Sequence, residues 1–317
     1  MRKLLFLTLA AAIGFGCSED ECGPVGTTGD NVDEIKITAL IADVQPLLKT
    51  TYSGSTASWA NNDALGLFCP QSKLNPAVNV KFTFNSSTWA PETALYWSDG
   101  TTKHRFMAYA PYATGNSDSA AVKLPALTGQ TGTVIDPSKD FLISNKFPDN
   151  GMVRTASVPL TFTHALSLIE FQVKSDVGIV SGATLKNYSL TAATGEKLFT
   201  SDANSTTINL GTAAIAKGTT VNTLTVTPST APTLSTTATS LYTLLLPGTY
   251  TAMNLGIVIT EGSTDVTVPL TAVGTLTFDP GKKYTYTVTI SRTAITISTP
   301  TITDWTTVNG SEIKPGI

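Results

Sequence analysis

The sequence predicts an all-β protein of tandem antiparallel sandwiches, and three observations lead there. About one residue in six is threonine, a β-branched type that favours strands. Short runs of alternating apolar and polar residues recur along the chain, separated by Gly, Pro, Asn, Asp and Ser. Helical periodicity is absent beyond the first sixteen residues. Strands without intervening helices build sandwiches or barrels rather than a parallel α/β sheet. No fixed-period repeat points to a propeller or solenoid.

The chain of 317 residues is 41% hydrophobic, enough for a sizeable core. That length suits about two domains at roughly 150 residues each. A net charge of −3 and 14% charged residues give no basic patch, so nucleic acid is excluded as a partner.

The start reads as a targeting segment. Arg2 and Lys3 precede a twelve-residue apolar stretch, Leu4 to Phe15. This suits a signal peptide over 1–16 and is too short to span a bilayer. Cys17 follows at once. The residues before it, Gly14-Phe15-Gly16, fit either ordinary signal cleavage or a lipoprotein signal that lacks its usual aliphatic residue. Residues 17–33, CSEDECGPVGTTGDNVD, have no apolar period and read as a flexible tether. Cys22 and Cys69 remain either as a pair or, for Cys69, as a small buried hydrophobe.

Strand patterns begin at IKITALI, where Ile35, Ile37 and Ala39 alternate with Lys36, Thr38 and Leu40. ALGLF, VKFTFN, HRFMAYAPY and DFLISN follow. A polar Gly/Pro stretch, NKFPDNGMVRTAS, places a domain boundary near residue 155, giving domains at 34–155 and 156–317. Beyond it VPLTFTHALSLIEFQV, LKNYSLTAA, STTINL, NTLTVTP, SLYTLLLPGTY, NLGIVITEG and DVTVPLTAV read as strands. The clearest is FDPGKKYTYTVTIS. Asp279-Pro280-Gly281 forms the turn, Tyr284, Tyr286, Val288 and Ile290 share one face, and Thr285, Thr287, Thr289 and Ser291 share the other.

Positive signs of chemistry are missing. The two histidines, His104 and His164, lie in no zinc-ligand spacing and read as strand histidines bonded to backbone. Gly-x-Ser-x-Gly, the P-loop and Gly-x-Gly-x-x-Gly are absent, so no catalytic residue, metal site or cofactor is assigned. Of the tryptophans, Trp97 and Trp305 read as core. Trp59 and Trp89 stand open between core and a surface that stacks on sugars.

Taken together, SWANNDALGLFCP, YWSDGTTKHRFMAYAPY, DFLISN, VPLTFTHALSLIEFQV, LLLPGTYT, FDPGKKYTYTVTI and ITDWTTVNG resemble the fimbrillin family of Bacteroidetes. The resemblance covers about residues 35 to 310. It implies two transthyretin-like β-sandwich domains and a pilus subunit active in cell adhesion, not an enzyme. It also implies export, lipidation at Cys17, and display on the outer membrane. The acidic run Ser18 to Glu21 resembles a surface-export tag of that group. A protease then removes the first strand, here Ile35 to about Val44, and a neighbouring subunit's strand takes its place. Lys49 stands where the family usually has Arg, which implies a different protease or no processing. Ile295, Ile297, Ile302 and Trp305 are donor-strand candidates, or else form the chain's own last strand. Further expected partners are other pilus subunits, the membrane through the lipid, and a host protein or glycan receptor. The alternative is a surface glycan-binding lipoprotein of two β-sandwich domains.

Overall fold

The computed structural model describes residues 34–41, 59–73, 77–144, 151–176, 178–203 and 205–305. Among them no helix occurs. The leading half contributes β1 (Ile37–Ile41), β2 (Ala64–Cys69), β3 (Ala77–Asn85) and β4 (Thr88–Pro91). It continues with β5 (Met107–Ala110), β6 (Val122–Lys123), β7 (Leu142–Ser144) and β8 (Val158–His164). Next come β9 (Ser167–Ser175), β10 (Thr184–Thr191), β11 (Phe199–Thr200), β12 (Thr207–Ile208) and β13 (Ile215–Ala216). After these lie β14 (Thr220–Val221), β15 (Thr223–Val226), β16 (Thr239–Leu245) and β17 (Gly248–Glu261). The last are β18 (Thr264–Phe278), β19 (Lys282–Ile290), β20 (Ile295–Ile297) and β21 (Thr301–Asp304).

Three larger sheets result. A seven-stranded sheet runs β1-β8-β7-β5-β2-β3-β4. A five-stranded sheet runs β16-β9-β19-β20, with β21 also on β19, and a four-stranded sheet runs β15-β10-β17-β18. The expected turn at Asp279-Pro280-Gly281 is present, with Gly281 at φ +67°, a region open to glycine without steric cost. In β19 Tyr284, Tyr286, Val288 and Ile290 are buried as the alternation requires, and the threonines lie on the wetter face.

Most pairings are antiparallel, but β1 on β8 and β9 on β19 are parallel. Period-two patterning tells which face of a strand is buried and is silent on which neighbour it takes. The run VPLTFTHALSLIEFQV divides at Ala165–Leu166: β8 stays in the seven-stranded sheet and β9 enters the five-stranded one.

Two hydrophobic cores form. One gathers Ile35, Ile37, Ala39 and Ile41 with Trp59, Phe82, Trp89, Trp97, Phe106 and Phe162 under the seven-stranded sheet. The other packs Phe171, Tyr188, Phe199, Tyr250, Phe278, Tyr284 and Tyr286 between the remaining sheets. Core membership crosses the expected boundary in both directions. β8, beyond residue 155, belongs to the first core, while Val122, Leu124, Leu127 and Ile135 belong to the second. Gln130 joins the two halves: its amide donates to the carbonyls of Leu127 and Leu244 and accepts the Leu244 N–H at 2.7 Å. These bonds occupy the outer edge of β16, which would otherwise be open to pairing.

Candidate functional site

The leading strand is the feature most suited to interaction. Ile37, Thr38, Ala39, Leu40 and Ile41 are rich in β-branched residues, and their alternation buries every second side chain. Ile35, one step ahead, is also buried, and Leu40 on the opposite face is 45% exposed. The strand lies at an edge of its sheet and pairs only with β8. Ile37 pairs with Val158, Ala39 with Leu160 and Ile41 with Phe162. Val158 donates its N–H to the Lys36 carbonyl at 2.8 Å. In a parallel ladder alternate residues address one neighbour. Val158, Leu160 and Phe162 therefore serve β1, and Pro159, which has no N–H, falls where that donor is not needed. Upstream, Ile35 donates to the Leu95 carbonyl at 2.7 Å and Glu34 bridges to Tyr96. The segment thus closes the gap between β8 and the chain after β4.

Beneath it the groove is floored by aromatics. Phe162 meets Trp59 edge-on at 5.3 Å, Trp59 meets Trp89 at 5.0 Å and 90°, and Phe84 lies 5.1 Å from Trp89. Trp59 and Trp89 are each only 8% exposed. Both are core residues, and perpendicular buried rings do not form the flat platform a sugar would need.

Of the sequence candidates at the other end, Ile295 and Ile297 lie in β20, Ile302 lies in β21, and Trp305 follows β21. Ile295 is buried and pairs with Ile290, and Ile297 is half-buried opposite Val288. Ile302 pairs with Tyr284 but is 56% exposed. Trp305 is 3% exposed, donates its backbone N–H to Gly281 at 2.8 Å, and stacks on the His164 ring at 3.7 Å and 10°. Among the described residues β20 and β21 are the last strands, covering the edge of β19 in two short pieces, and Trp305 follows β21 directly. Lys282 and Asp304 form an ion pair there. Cys17 and Lys49 lie outside the described residues.

His164 Nδ1 donates to the buried Asp140 carboxylate at 3.0 Å. His104 accepts the Ser98 N–H at Nε2, 3.1 Å, and donates from Nδ1 to the Thr102 carbonyl, 2.9 Å. Both rings hold together local structure. Among the described residues no group of three or more His, Cys, Asp or Glu could hold a metal ion. No helix among them is long and apolar enough to cross a membrane.

Cys69 is a free thiol, fully buried, and desolvation pushes its pKa up to about 12. The thiolate is the reactive form. Native protein at pH 8 should therefore leave Cys69 unlabelled by a thiol reagent, and denatured protein should label it fully. Mass spectrometry of the labelled peptides checks this.

The fold is a β-sandwich of the kind seen in solved structures of Bacteroides proteins. A crystal structure of a protein assigned to cell adhesion, from Bacteroides uniformis, aligns with a TM-score of 0.57 at 18% identity, covering 87% of this chain and 100% of that one. The chain belongs to the fimbrillin-like family, whose family model matches residues 50–305. Among its relatives, a protein assigned as the fimbrium subunit Fim1C of Bacteroides uniformis is 24% identical over 98% of this chain and 96% of its own length. A protein assigned as the fimbrium tip subunit Fim1C of Bacteroides ovatus is 27% identical over 190 residues. That match takes in 55% of this chain and spans 35% of the B. ovatus relative.

Proposed function

We propose that this chain is a structural subunit of a surface fimbrium, assembled by exchanging β1 for a strand of another subunit, and that it has no catalytic role. In this reading Cys17 carries the lipid that brings the precursor to the outer membrane, and cleavage near Lys49 releases residues up to that point. The division into two sandwich domains belongs to the same proposal, supported by the two cores.

The observation that carries it is the geometry of β1. An edge segment with four inward apolar side chains, whose strand pairs only with β8, can leave at the cost of that ladder, the Ile35–Leu95 bond and the Glu34–Tyr96 bridge, with every other strand pairing intact. Its departure bares the β8 edge and an apolar groove, a combination that takes up an extended segment of alternating pattern. Each isoleucine removed from the core forfeits about 1.5–3 kcal/mol of burial, so the empty groove strongly favours a replacement. The family match beginning at residue 50, after Lys49, accords with a mature chain that starts there. Two or three acyl chains on one cysteine would anchor the precursor durably, where a single chain would not.

Trypsin-nicked protein incubated with partner subunits tests the assembly step. The expected result is a ladder on gels that survives detergent and moderate heat. A mixture that stays monomeric after the strand is cut would leave no polymerising role.

A further inference from the structure

Resting on the strand-exchange reading above, we infer that the groove under β1 selects its incoming strand by the side-chain order large, large, small, large. In a second copy that order lies only in the leading strand that the exchange reading removes, and residues 294–317 do not supply it. The four inward positions are held by Ile35, Ile37, Ala39 and Ile41, all buried. Ala39 sits beside Leu160, itself buried, in a core whose other members are mainly tryptophans, phenylalanines and leucines. Protein cores are packed to near-crystalline density, so a longer side chain at the third position has to displace those neighbours.

The small position also fixes register. A slip of one residue turns Thr38 and Leu40 inward, and a slip of two brings an isoleucine onto the alanine's place. Direction is set too, because β1 runs parallel to β8 and the same order read backwards puts the small residue second.

The chain's own tail fits poorly. Ile295, Ile297, Thr299 and Thr301 give large, large and small, then place a hydroxyl where Ile41 sits in an apolar pocket. The other frame, Thr296, Ser298, Pro300 and Ile302, has one aliphatic residue in four. Neither frame of residues 306–317 carries the order. Ile295 and Trp305 are moreover already buried in this chain. The fitting partner is a strand of a different subunit with aliphatic, aliphatic, alanine-sized and aliphatic residues at alternate positions.

The test starts from full-length protein nicked by trypsin after Lys49, verified by intact mass, with the leading fragment fluorescently labelled. Three peptides compete for the groove: residues 34–42, the same peptide with Ala39→Leu, and residues 294–302. The first should release the fragment on warming, the Ala39→Leu peptide about ten-fold less effectively, as overpacking implies, and the tail peptide not detectably. No release by the first peptide, even just below the melting temperature, overturns strand exchange itself. Equal release by the Ala39→Leu peptide overturns the size selection and leaves exchange standing. Release by the tail peptide that matches the first makes a second copy a competent donor and overturns the partner assignment. In the uncut chain, Ala39→Leu should lower the melting temperature and Thr38→Leu, on the exposed face, should not. Equal melting temperatures contradict a small third pocket.

Discussion

Trp305→Ala should lower the unfolding free energy by about 3–5 kcal/mol, the range for removing a buried aromatic side chain. The indole is 3% exposed and stacks on His164, the last residue of β8, so its loss opens a cavity where the residue after β21 meets the seven-stranded sheet. The four side chains of β21 are exposed, and that strand is held by its backbone pairing to β19, the Lys282–Asp304 pair and Trp305. Amide exchange along Thr301–Asp304 should therefore accelerate more than exchange in β9, on the other side of β19. Trp305→Phe should recover part of the loss. Urea denaturation gives the energy and hydrogen exchange its location. A variant as stable as the native chain would mean that Trp305 does not anchor the tail.

The second large effect is expected at Phe162→Ala, again about 3–5 kcal/mol. Phe162 is fully buried, pairs with Ile41 and supports Trp59 edge-on. Its removal hollows the groove floor beneath β1. Two readouts separate this from ordinary core damage. Amides of Ile37–Ile41 should lose protection at denaturant concentrations where β19 keeps its own, and trypsin should release the leading strand faster. Uniform loss of protection in both sheets would show that β1 is no more detachable than the rest.

Much of the fold was legible because a half-buried strand writes its burial into every second residue. In β19 the tyrosines, Val288 and Ile290 face in as the sequence reads, and in β1 the isoleucines and Ala39 do the same. The sequence is less informative where burial is two-sided. Ser167 to Phe171 is an unbroken buried run, and no Gly or Pro marks the step from β8 to β9 between different sheets. Parallel pairing of β1 with β8 joins segments about 120 residues apart, and alternation carries no information about such a partner. Trp59 and Trp89 sit among polar loop-type residues, so only the assembled groove shows that Phe162 and Phe84 enclose them. The resemblance carried by scattered segments is established by the family match, whereas the roles of Cys17 and Lys49 rest on what that resemblance implies for residues outside the described ones.

The tail shows why a strand pattern by itself does not identify a donor. Ile295 and Trp305 have the spacing and apolarity of an inserting strand, and both are buried against their own chain. Ile302 has the same pattern and lies exposed on β21. A donor must leave its present contacts before it fills new ones, so the energy of release enters alongside the fit.

The most direct measurement is intact mass with N-terminal mapping of the protein taken from the native cell envelope. The expected result is two species: a precursor beginning at an acylated Cys17, and an assembled form beginning at Thr50 that lacks β1. A single species with unmodified Cys17 and residues 34–41 retained in the assembled fimbria would contradict both the anchor and the exchange.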